Sequence, residues 1–421
     1  MVDLHADPRT HHPRAPSSAE EGSHFHGSEE SPQLYSIFDY TQLSRMPTRE
    51  DLIESAERLH FYLDRTHYQG GILHGPDPGV RFNLRAWRFL KSTLDFIPWG
   101  DDYVFTQTQG YWVLGNWLLY DATGDARYRD IAIQSSEATL ALETDEGYWK
   151  YPLPERRHLV ATLEGIWGGT ALLATYRREA RKDLIKGAVR AYEFIVNRIG
   201  FQAHTVGKAI NYFDKPRGKV TNNSVIAAWY FLRLWEATQE ERYLQHVSAL
   251  LDFAAAAQLP TGELPYIIGN QYEQSRPHYL CYQYNAFQFL HLAWSNSLKP
   301  GRWAEPLLPR LARFLESGVQ PTGACSKNCR HARGGGPEVD YYTAAMAAAL
   351  HEGLRMRPGV RPELVVACYD RLLAHQRPDG GFDYSYRDYG ILSDHRSYPR
   401  YLAMTLFHLL YPACGNGFEK A

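Results

Sequence analysis

The chain has 421 residues, a formal net charge of −2 and an aromatic content of 14%. The balanced charge, without a basic block, argues against a nucleic-acid-binding surface. No apolar run approaches the ~18 residues that a membrane span requires. Neither terminus shows a secretion signal, and five cysteines, an odd number, fit a reducing compartment better than a disulfide framework. We therefore expect a cytoplasmic protein.

The composition divides the chain into a tail and a folded domain. Residues 1–33 are rich in Pro, Ser, His and charge and contain few apolar residues, so they cannot bury enough surface to order themselves. The five histidines of this segment could hold a metal, but a solvated tail is the better explanation. We expect a disordered tail over 1–33, one domain over 34–413 and a short tail over 414–421.

The domain is built from a sixfold repeat. Each unit combines an apolar stretch rich in Tyr or Trp, a turn, a more polar helical stretch and a glycine-marked loop. Most units are roughly 53 to 62 residues long, and the marker glycines are Gly71, Gly147, Gly200, Gly262, Gly323 and Gly380. A fixed period of this length predicts a repeat architecture of paired helices.

Taken in chain order, the units leave one unpaired helix at each end. Arg49 to Leu63 is amphipathic and has no apolar partner before it. Clear units follow at 111–120 (YWVLGNWLLY), 224–235 (SVIAAWYFLRLW) and 341–353 (YYTAAMAAALHEG), each with an outer helix after it. Weaker units lie between them, around 158–200 and 281–323. Ser397 to Leu410 is a last apolar helix without an outer partner.

Pairing the two end helices closes the repeat into a ring. The predicted fold is all-α, an (α/α)6 toroid with six inner and six outer helices. Closure removes the apolar end faces that an open helical-hairpin solenoid, the alternative, would have to cap.

The predicted site lies where the inner helices begin, because the ring geometry points those residues at one cavity. Amides can bind sugar hydroxyls, an arginine can clamp a carboxylate, and carboxylates of different repeats could act as acid and base. The catalytic candidates are Asp340, His395, Tyr342, Glu164 and Glu338. The substrate-binding candidates are Gln109, Asn222, Tyr284, Asn285, Arg396 and Arg400. Alternatively, these residues cap helices, and the segment DYGILSDHRSYPRY is a polar seam where the ends of the ring meet.

A second constellation contains cysteine. Cys281, Cys325, Cys329 and His331 are candidate zinc ligands, and His278 forms HxxC with Cys281. The spacing CSKNCRH matches no zinc signature, so we expect neither a metal nor a cofactor.

Ends such as QRPDGGFDYS and turns such as DATGDARY resemble the alpha/alpha-toroid enzymes over residues 49–411. That group includes uronate-acting lyases, hydrolases and glucuronyl C5-epimerases, terpenoid cyclases, prenyltransferase beta subunits and lanthionine cyclases. The stretch FTQTQGYWVLGNWLLYDATGDARY is similar to the GQ-containing repeat of glucuronyl epimerases, with Gln109 and Gly110 in reversed order. The DxDD motif and the Cys-His-Gly motif are absent, and DDxxD is represented only by Asp101 and Asp102.

These observations predict an intracellular carbohydrate-active enzyme, an epimerase, lyase or hydrolase acting on a uronic-acid-containing sugar or oligosaccharide. Its partner would be that substrate rather than a nucleic acid or a membrane. One alternative is a terpenoid or prenyl cyclase-like enzyme with a diverged acid motif. The other is a toroidal binding protein without catalysis.

Overall fold

The computed structural model describes residues 46–78, 94, 101–329, 337–356, 359–388 and 392–414. The predicted tail over 1–33 and His331 lie outside the described residues. In the described part, no helix is both long enough and apolar enough to cross a membrane.

Two sets of α-helices alternate along the chain. The inner set is α2 (Thr106–Thr123), α4 (Thr162–Glu179), α6 (Thr221–Thr238), α8 (Cys281–Leu298), α10 (Asp340–Met356) and α12 (Pro399–Ala413). The outer set is α1 (Arg49–His67), α3 (Ala126–Ala141), α5 (Lys182–Phe194), α7 (Val247–Ala257), α9 (Ala304–Glu316) and α11 (Pro362–His375). Short 3-10 or π-helical turns occur at Pro154–Arg156, Ile195–Ile199 and Glu241–Leu244.

The ring is closed, as the repeat predicts. Each inner helix packs against the next, and α12 packs against α2 to complete the circle. Every outer helix packs on an inner one, and the first helix, α1, pairs with the last, α12. The N- and C-terminal ends therefore supply the two halves of one helical pair.

The two sets differ in how much of their surface is buried. In α6, every residue from Asn223 to Leu234 is buried, because this helix contacts neighbours on all sides. In α9, the buried residues recur at intervals of three and four, which leaves one face to solvent. The first outer helix begins with a capping box: the Thr48 hydroxyl accepts from the Asp51 N–H, and the Asp51 carboxylate accepts from the Thr48 N–H.

Glycines allow each loop to dock on the next outer helix. Gly380 has φ +92°, and a Cβ built there would lie 2.3 Å from the carbonyl oxygen of Arg58 in α1. This contact joins the loop after α11 to the first helix, α1, where the ring closes. The docked glycines share positive φ and close approach to an outer helix; they are Gly71, Gly147, Gly207, Gly262, Gly323 and Gly380.

The third marker glycine, Gly200, does not dock on an outer helix. It has φ +71°, but a Cβ there would meet only the Asn211 side chain, at 4.0 Å. The docking residue of that unit is Gly207, whose Cβ would lie 2.2 Å from the Ala249 carbonyl of α7. Gly200 ends a helix, whereas Gly207 lies in the following hairpin.

Short antiparallel strands connect outer helices to inner ones at one end of the ring. The hairpin pairs are β1 (Tyr68–Gln69) with β2 (Ile72–Leu73) and β3 (Phe201–Ala203) with β4 (Lys208–Ile210). Longer-range pairs are β5 (Lys219–Val220) with β6 (Ile267–Ile268), and the sheet β7 (Glu338–Val339), β8 (Ser385–Asp388), β9 (Leu392–Asp394). These strands hold the inner-helix N-termini at one face, where the central cavity opens.

Candidate active site

A cavity lies among the N-terminal halves of the inner helices; its empty space is about 530 Å³ when the part open to solvent is included. All six inner helices contribute to its wall. The lining residues are Gln107, Tyr111, Leu163, Trp167, Asn222, Ile226, Gln283, Tyr284, Phe287, Gln288, His291, Tyr341, Tyr401 and Met404. Aromatic and amide side chains therefore dominate the site, as the sequence predicts for the mouth of the ring.

The lining residues form layers with a helical spacing of four. In α2, Gln107 is in the rim layer and Tyr111 lies one turn deeper. In α6, Asn222 and Ile226 repeat this relation. The cavity is deepest along α8, where His291 lies ten residues beyond the helix start at Cys281. The site thus extends nearly three turns below the helix N-termini.

Several residues that line the cavity carry buried polar atoms without partners. The Oδ1 of Asn222, the hydroxyl of Tyr284, the Oε1 of Gln288 and the Nε2 of His291 are buried and have no hydrogen-bond partner among the described residues. Buried polar atoms of proteins are normally satisfied. Their concentration in an aromatic cavity indicates a ligand that offers several hydrogen-bonding groups.

His291 is the lining residue best suited to proton transfer. Its Nδ1 lies 2.6 Å from the carbonyl oxygen of Phe287. Because a carbonyl only accepts, Nδ1 carries the proton and Nε2 keeps its lone pair. Burial lowers the pKa of His291 to about 4, so the ring is neutral at pH 7 and can act as a base.

Charged side chains are absent from the lining formed by the described residues. The wall presents neutral amides, phenols, one neutral imidazole and hydrocarbon. Paired carboxylates of the kind used in glycoside hydrolysis are therefore not part of this described wall, and neither is an arginine that could clamp a substrate carboxylate.

The predicted catalytic carboxylates at the start of α10, Glu338 in β7 and Asp340 in the helix, lie in a separate ionic network. Asp340 accepts a hydrogen bond from Nδ1 of His375 at 3.2 Å, and Glu338 pairs with Arg371 at 2.5 Å. Burial raises the pKa of Asp340. His375 and Arg371 belong to α11, so this network braces an inner helix against its outer partner and does not line the cavity.

His395 also lies away from the cavity. Its side chain is 54% exposed, and its Nδ1 lies 2.7 Å from Oδ2 of Asp383. Asp383 also accepts from Arg377, which in turn donates to the backbone carbonyl of His395. This arrangement ties β9 and the following loop to the segment that follows α11.

Glu164 and Arg400 are buried beneath the rim layer. Glu164 accepts from the N–H and the hydroxyl of Thr106, which joins α4 to α2, and burial raises its pKa. The guanidinium of Arg400 lies 2.7 Å from the carboxylate of Asp77 and 4.1 Å from the ring centroid of Phe105. Both charges are thus engaged within the protein, and neither lines the cavity.

Among the predicted binding residues, Asn222 and Tyr284 line the cavity. The amides of Gln109 and Asn285 are instead used by the backbone. Gln109 bonds both the N–H and the carbonyl of Leu73, and Asn285 does the same with Leu264. These amides fix the incoming loop on the first turn of the inner helix.

Two further predicted residues, Arg396 and Tyr342, do not line the cavity. Arg396 donates to the carbonyl oxygen of Leu94 at 3.0 Å. Tyr342 is buried next to Tyr341, but only Tyr341 lines the cavity. Neighbouring helix residues point about 100° apart, so one phenol faces the axis and the other faces the ring wall.

Sequence reasoning missed the deeper lining residues, above all His291, Gln288 and Trp167. The available signal was the spacing of four along α8, from Tyr284 to Gln288, with His291 three residues further. Those residues lie within a helix that is buried on all sides, so hydrophobic periodicity could not identify the axis-facing stripe.

The cysteine constellation is only partly assembled. The backbone N–H of Cys329 donates to Sγ of Cys281 at 2.9 Å, so these two residues are neighbours. Cys325 is fully buried; its backbone N–H donates to the hydroxyl of Thr343, and its thiol donates to the carbonyl oxygen of Ser326. Cys329 is joined by His278, the histidine of the HxxC sequence, and by Glu263, which the sequence analysis did not single out.

The fold is similar to solved structures of carbohydrate-active enzymes. A cellobiose 2-epimerase from Bacillus thermoamylovorans matches with a TM-score of 0.68 and 12% identity, over 86% of this chain and 99% of that chain. A polysaccharide lyase matches with a TM-score of 0.60 and 13% identity, over 87% of this chain and 97% of that chain. A family 88 glycosyl hydrolase from Bacteroides vulgatus matches with a TM-score of 0.60 and 12% identity, over 87% of this chain and 99% of that chain. No protein-family model and no curated protein matches the sequence. The chain therefore has the (α/α)6 toroid fold of these enzymes.

Proposed function

We propose that this protein is a carbohydrate-active enzyme that binds a sugar in the central cavity and moves a proton with His291. The observation that carries the proposal is the set of unpartnered polar atoms in an aromatic cavity, one of which is the basic Nε2 of His291. The similarity of the fold to an epimerase, a lyase and a hydrolase supports the same class.

The polar atoms favour a sugar over a terpene. A hydrocarbon would leave Asn222, Tyr284 and Gln288 without partners, and each such buried group costs about 1–3 kcal/mol. Sugar hydroxyls both donate and accept, so they can satisfy amide oxygens, a phenol and an imidazole together. Tyr111 and Trp167, whose ring centroids are 4.2 Å apart, add aromatic surface at the same level.

Among the reaction types, epimerisation next to a carbonyl fits the lining best. The neutral Nε2 of His291 would remove the proton from the carbon beside the sugar carbonyl, and the Tyr284 hydroxyl could donate to the enolate oxygen. A water molecule entering through the open side of the cavity would donate a proton to the other face of the enolate, which gives the epimer, and the protonated His291 would return its proton to solvent water. Hydrolysis by a carboxylate pair is less well supported, because the described lining contains no carboxylate.

The same lining favours a neutral sugar over the uronic acid that the sequence predicts. The described wall has no cation to pair with a carboxylate, and Arg400 is already paired with Asp77. A cytoplasmic location is also proposed, and it is supported by the five cysteines, all of which are free.

The test is deuterium exchange. The protein is incubated in D₂O with neutral reducing mono- and disaccharides and, separately, with their uronic acid counterparts. NMR then follows deuterium at the carbon beside the carbonyl. We expect exchange with a neutral sugar, and we expect His291→Gln to slow it by ~10²-fold or more.

His395→Gln is the matched control, because it makes the same chemical change at an exposed histidine outside the cavity. It should leave exchange almost unaltered. Loss of exchange in His395→Gln but not in His291→Gln would contradict the assignment. Sugar binding without exchange would support the toroidal binding protein, and exchange confined to uronic acids would overturn the preference for a neutral substrate.

A further inference from the structure

A cluster of potential metal ligands lies at the same end of the ring, on two different loops. Glu263 and His278 both belong to the connection between α7 and α8, and Cys329 follows α9. The Nδ1 of His278 lies 2.8 Å from Oε2 of Glu263 and 3.5 Å from Sγ of Cys329. The Cys329 sulfur lies 3.8 Å from the same Glu263 oxygen. Three ligand atoms of different types thus surround one point.

The geometry differs from that of a catalytic Cys-His-Glu relay. In a relay the histidine uses one ring nitrogen for the nucleophile and the other for the carboxylate. Here the sulfur and the carboxylate oxygen both approach Nδ1 of His278. That nitrogen cannot serve two partners in sequence, whereas convergence of three donor atoms is what a metal ion requires.

The distances fit a tetrahedral ion. With Zn–S of ~2.3 Å and Zn–N and Zn–O of ~2.0–2.2 Å, tetrahedral ligands are separated by ~3.4–3.6 Å. The S···N distance of 3.5 Å and the S···O distance of 3.8 Å are close to these values. Only the N···O distance of 2.8 Å, now a hydrogen bond, would have to open, by ~0.6 Å.

The three ligands are also held in place by the fold. Glu263 is 1% exposed, and its backbone is fixed by docked Gly262 on one side and by Leu264, bonded to Asn285, on the other. The backbone N–H of Cys329 donates to Cys281. The His278 side chain is 29% exposed, so an ion could reach the cluster from solvent.

We propose that Glu263, His278 and Cys329 form a zinc-binding site with an open fourth position. The mixed thiolate, imidazole and carboxylate set suits Zn²⁺ better than Mg²⁺ or Ca²⁺, which prefer oxygen ligands. Three protein ligands leave one coordination position for water or another small ligand, as in catalytic zinc sites. Cys281 supports the site by accepting the N–H of Cys329. This inference does not depend on the proposed sugar chemistry.

The test is cobalt and zinc binding to the full chain. The reduced protein is treated with a chelator, desalted and titrated with Co²⁺, and zinc content is measured by elemental analysis after reconstitution. We expect about one equivalent of metal and a thiolate-to-Co²⁺ charge-transfer band. The band reports on cysteine ligation alone, so metal bound by the histidines of residues 1–33 does not contribute to it.

Cys329→Ser and His278→Asn should each weaken cobalt binding by at least ~10²-fold. His278 is partly exposed, so its variant should fold, and circular dichroism checks this. Cys414→Ser, a substitution at a partly buried thiol outside the cluster, is the matched control and should keep the band. The proposal is overturned if no band forms, if the band persists in Cys329→Ser, or if mass analysis finds Cys281 and Cys329 joined in a disulfide.

Discussion

Replacing Gly380 by alanine should destabilise the ring at the point where it closes. Gly380 has φ +92°, and an added Cβ would lie 2.3 Å from the oxygen and 2.8 Å from the carbon of the Arg58 carbonyl in α1. A left-handed conformation costs an L-residue about 1–2 kcal/mol. Moving the loop away from α1 adds about 1–3 kcal/mol of packing strain, so the free energy of unfolding should fall by about 2–5 kcal/mol.

Gly124→Ala separates the two contributions. Gly124 has φ +74° but has nothing within 4 Å of an added Cβ, so only the conformational cost of about 1–2 kcal/mol applies. Urea unfolding, followed by tryptophan fluorescence and circular dichroism, gives both free energies. Equal losses in the two variants would refute the view that Gly380 docks the last loop on the first helix.

Two further predictions concern stability. Asn285→Ala should lower the free energy of unfolding by about 2–4 kcal/mol, because it leaves the buried N–H and carbonyl of Leu264 without partners. Asn222→Ala, at a residue whose Oδ1 has no partner, should change the free energy of unfolding little in the same urea titration; equal effects would contradict the assigned roles. The second prediction is that the free energy of unfolding falls as pH drops from about 6.5 towards 4. Burial lowers the pKa of His60 and His291 to about 4 and that of His408 to about 3. Between these values and the ordinary histidine pKa, the unfolded chain is protonated at these residues and the native state is not. Each of these histidines lowers the free energy of unfolding by about 1.4 kcal/mol per pH unit in that window. His291→Gln should therefore reduce the pH dependence of the free energy of unfolding by the contribution of one histidine. An unchanged pH dependence would show that His291 is not held neutral.

The ring could be predicted because its signals are local. An all-apolar helix such as 224–235, an amphipathic partner and a loop glycine recur in each unit, and each signal depends on a few neighbouring residues. Closure followed from the unpaired helices at the two ends. Which glycine of a unit docks could not be predicted, because a glycine that ends a helix and a glycine that docks a loop look alike in the sequence.

The sequence predicted at which end of the ring the cavity lies, but not which residues line it. Asn222 and Tyr284 line the cavity, whereas their neighbours Asn223 and Asn285 do not. For Asp340 and His395, the sequence could not show that a histidine of α11 and the carboxylate of Asp383 were within reach. A polar residue at the start of an inner helix can face the axis of the ring, bind the backbone of a loop or pair with an outer helix. Which of these it does depends on the groups that the fold places next to it.

The sequence by itself therefore determined the helical repeat, the closed ring and the polar, aromatic character of its mouth, because these depend on residue type and short-range spacing. Only the tertiary structure decided which residues face the cavity. An inner helix is buried on all sides, so its rotation about its own axis is set by packing against two inner neighbours and one outer helix. That rotation brings His291 to the cavity floor, and loop packing brings Glu263, His278 and Cys329 together from distant parts of the chain.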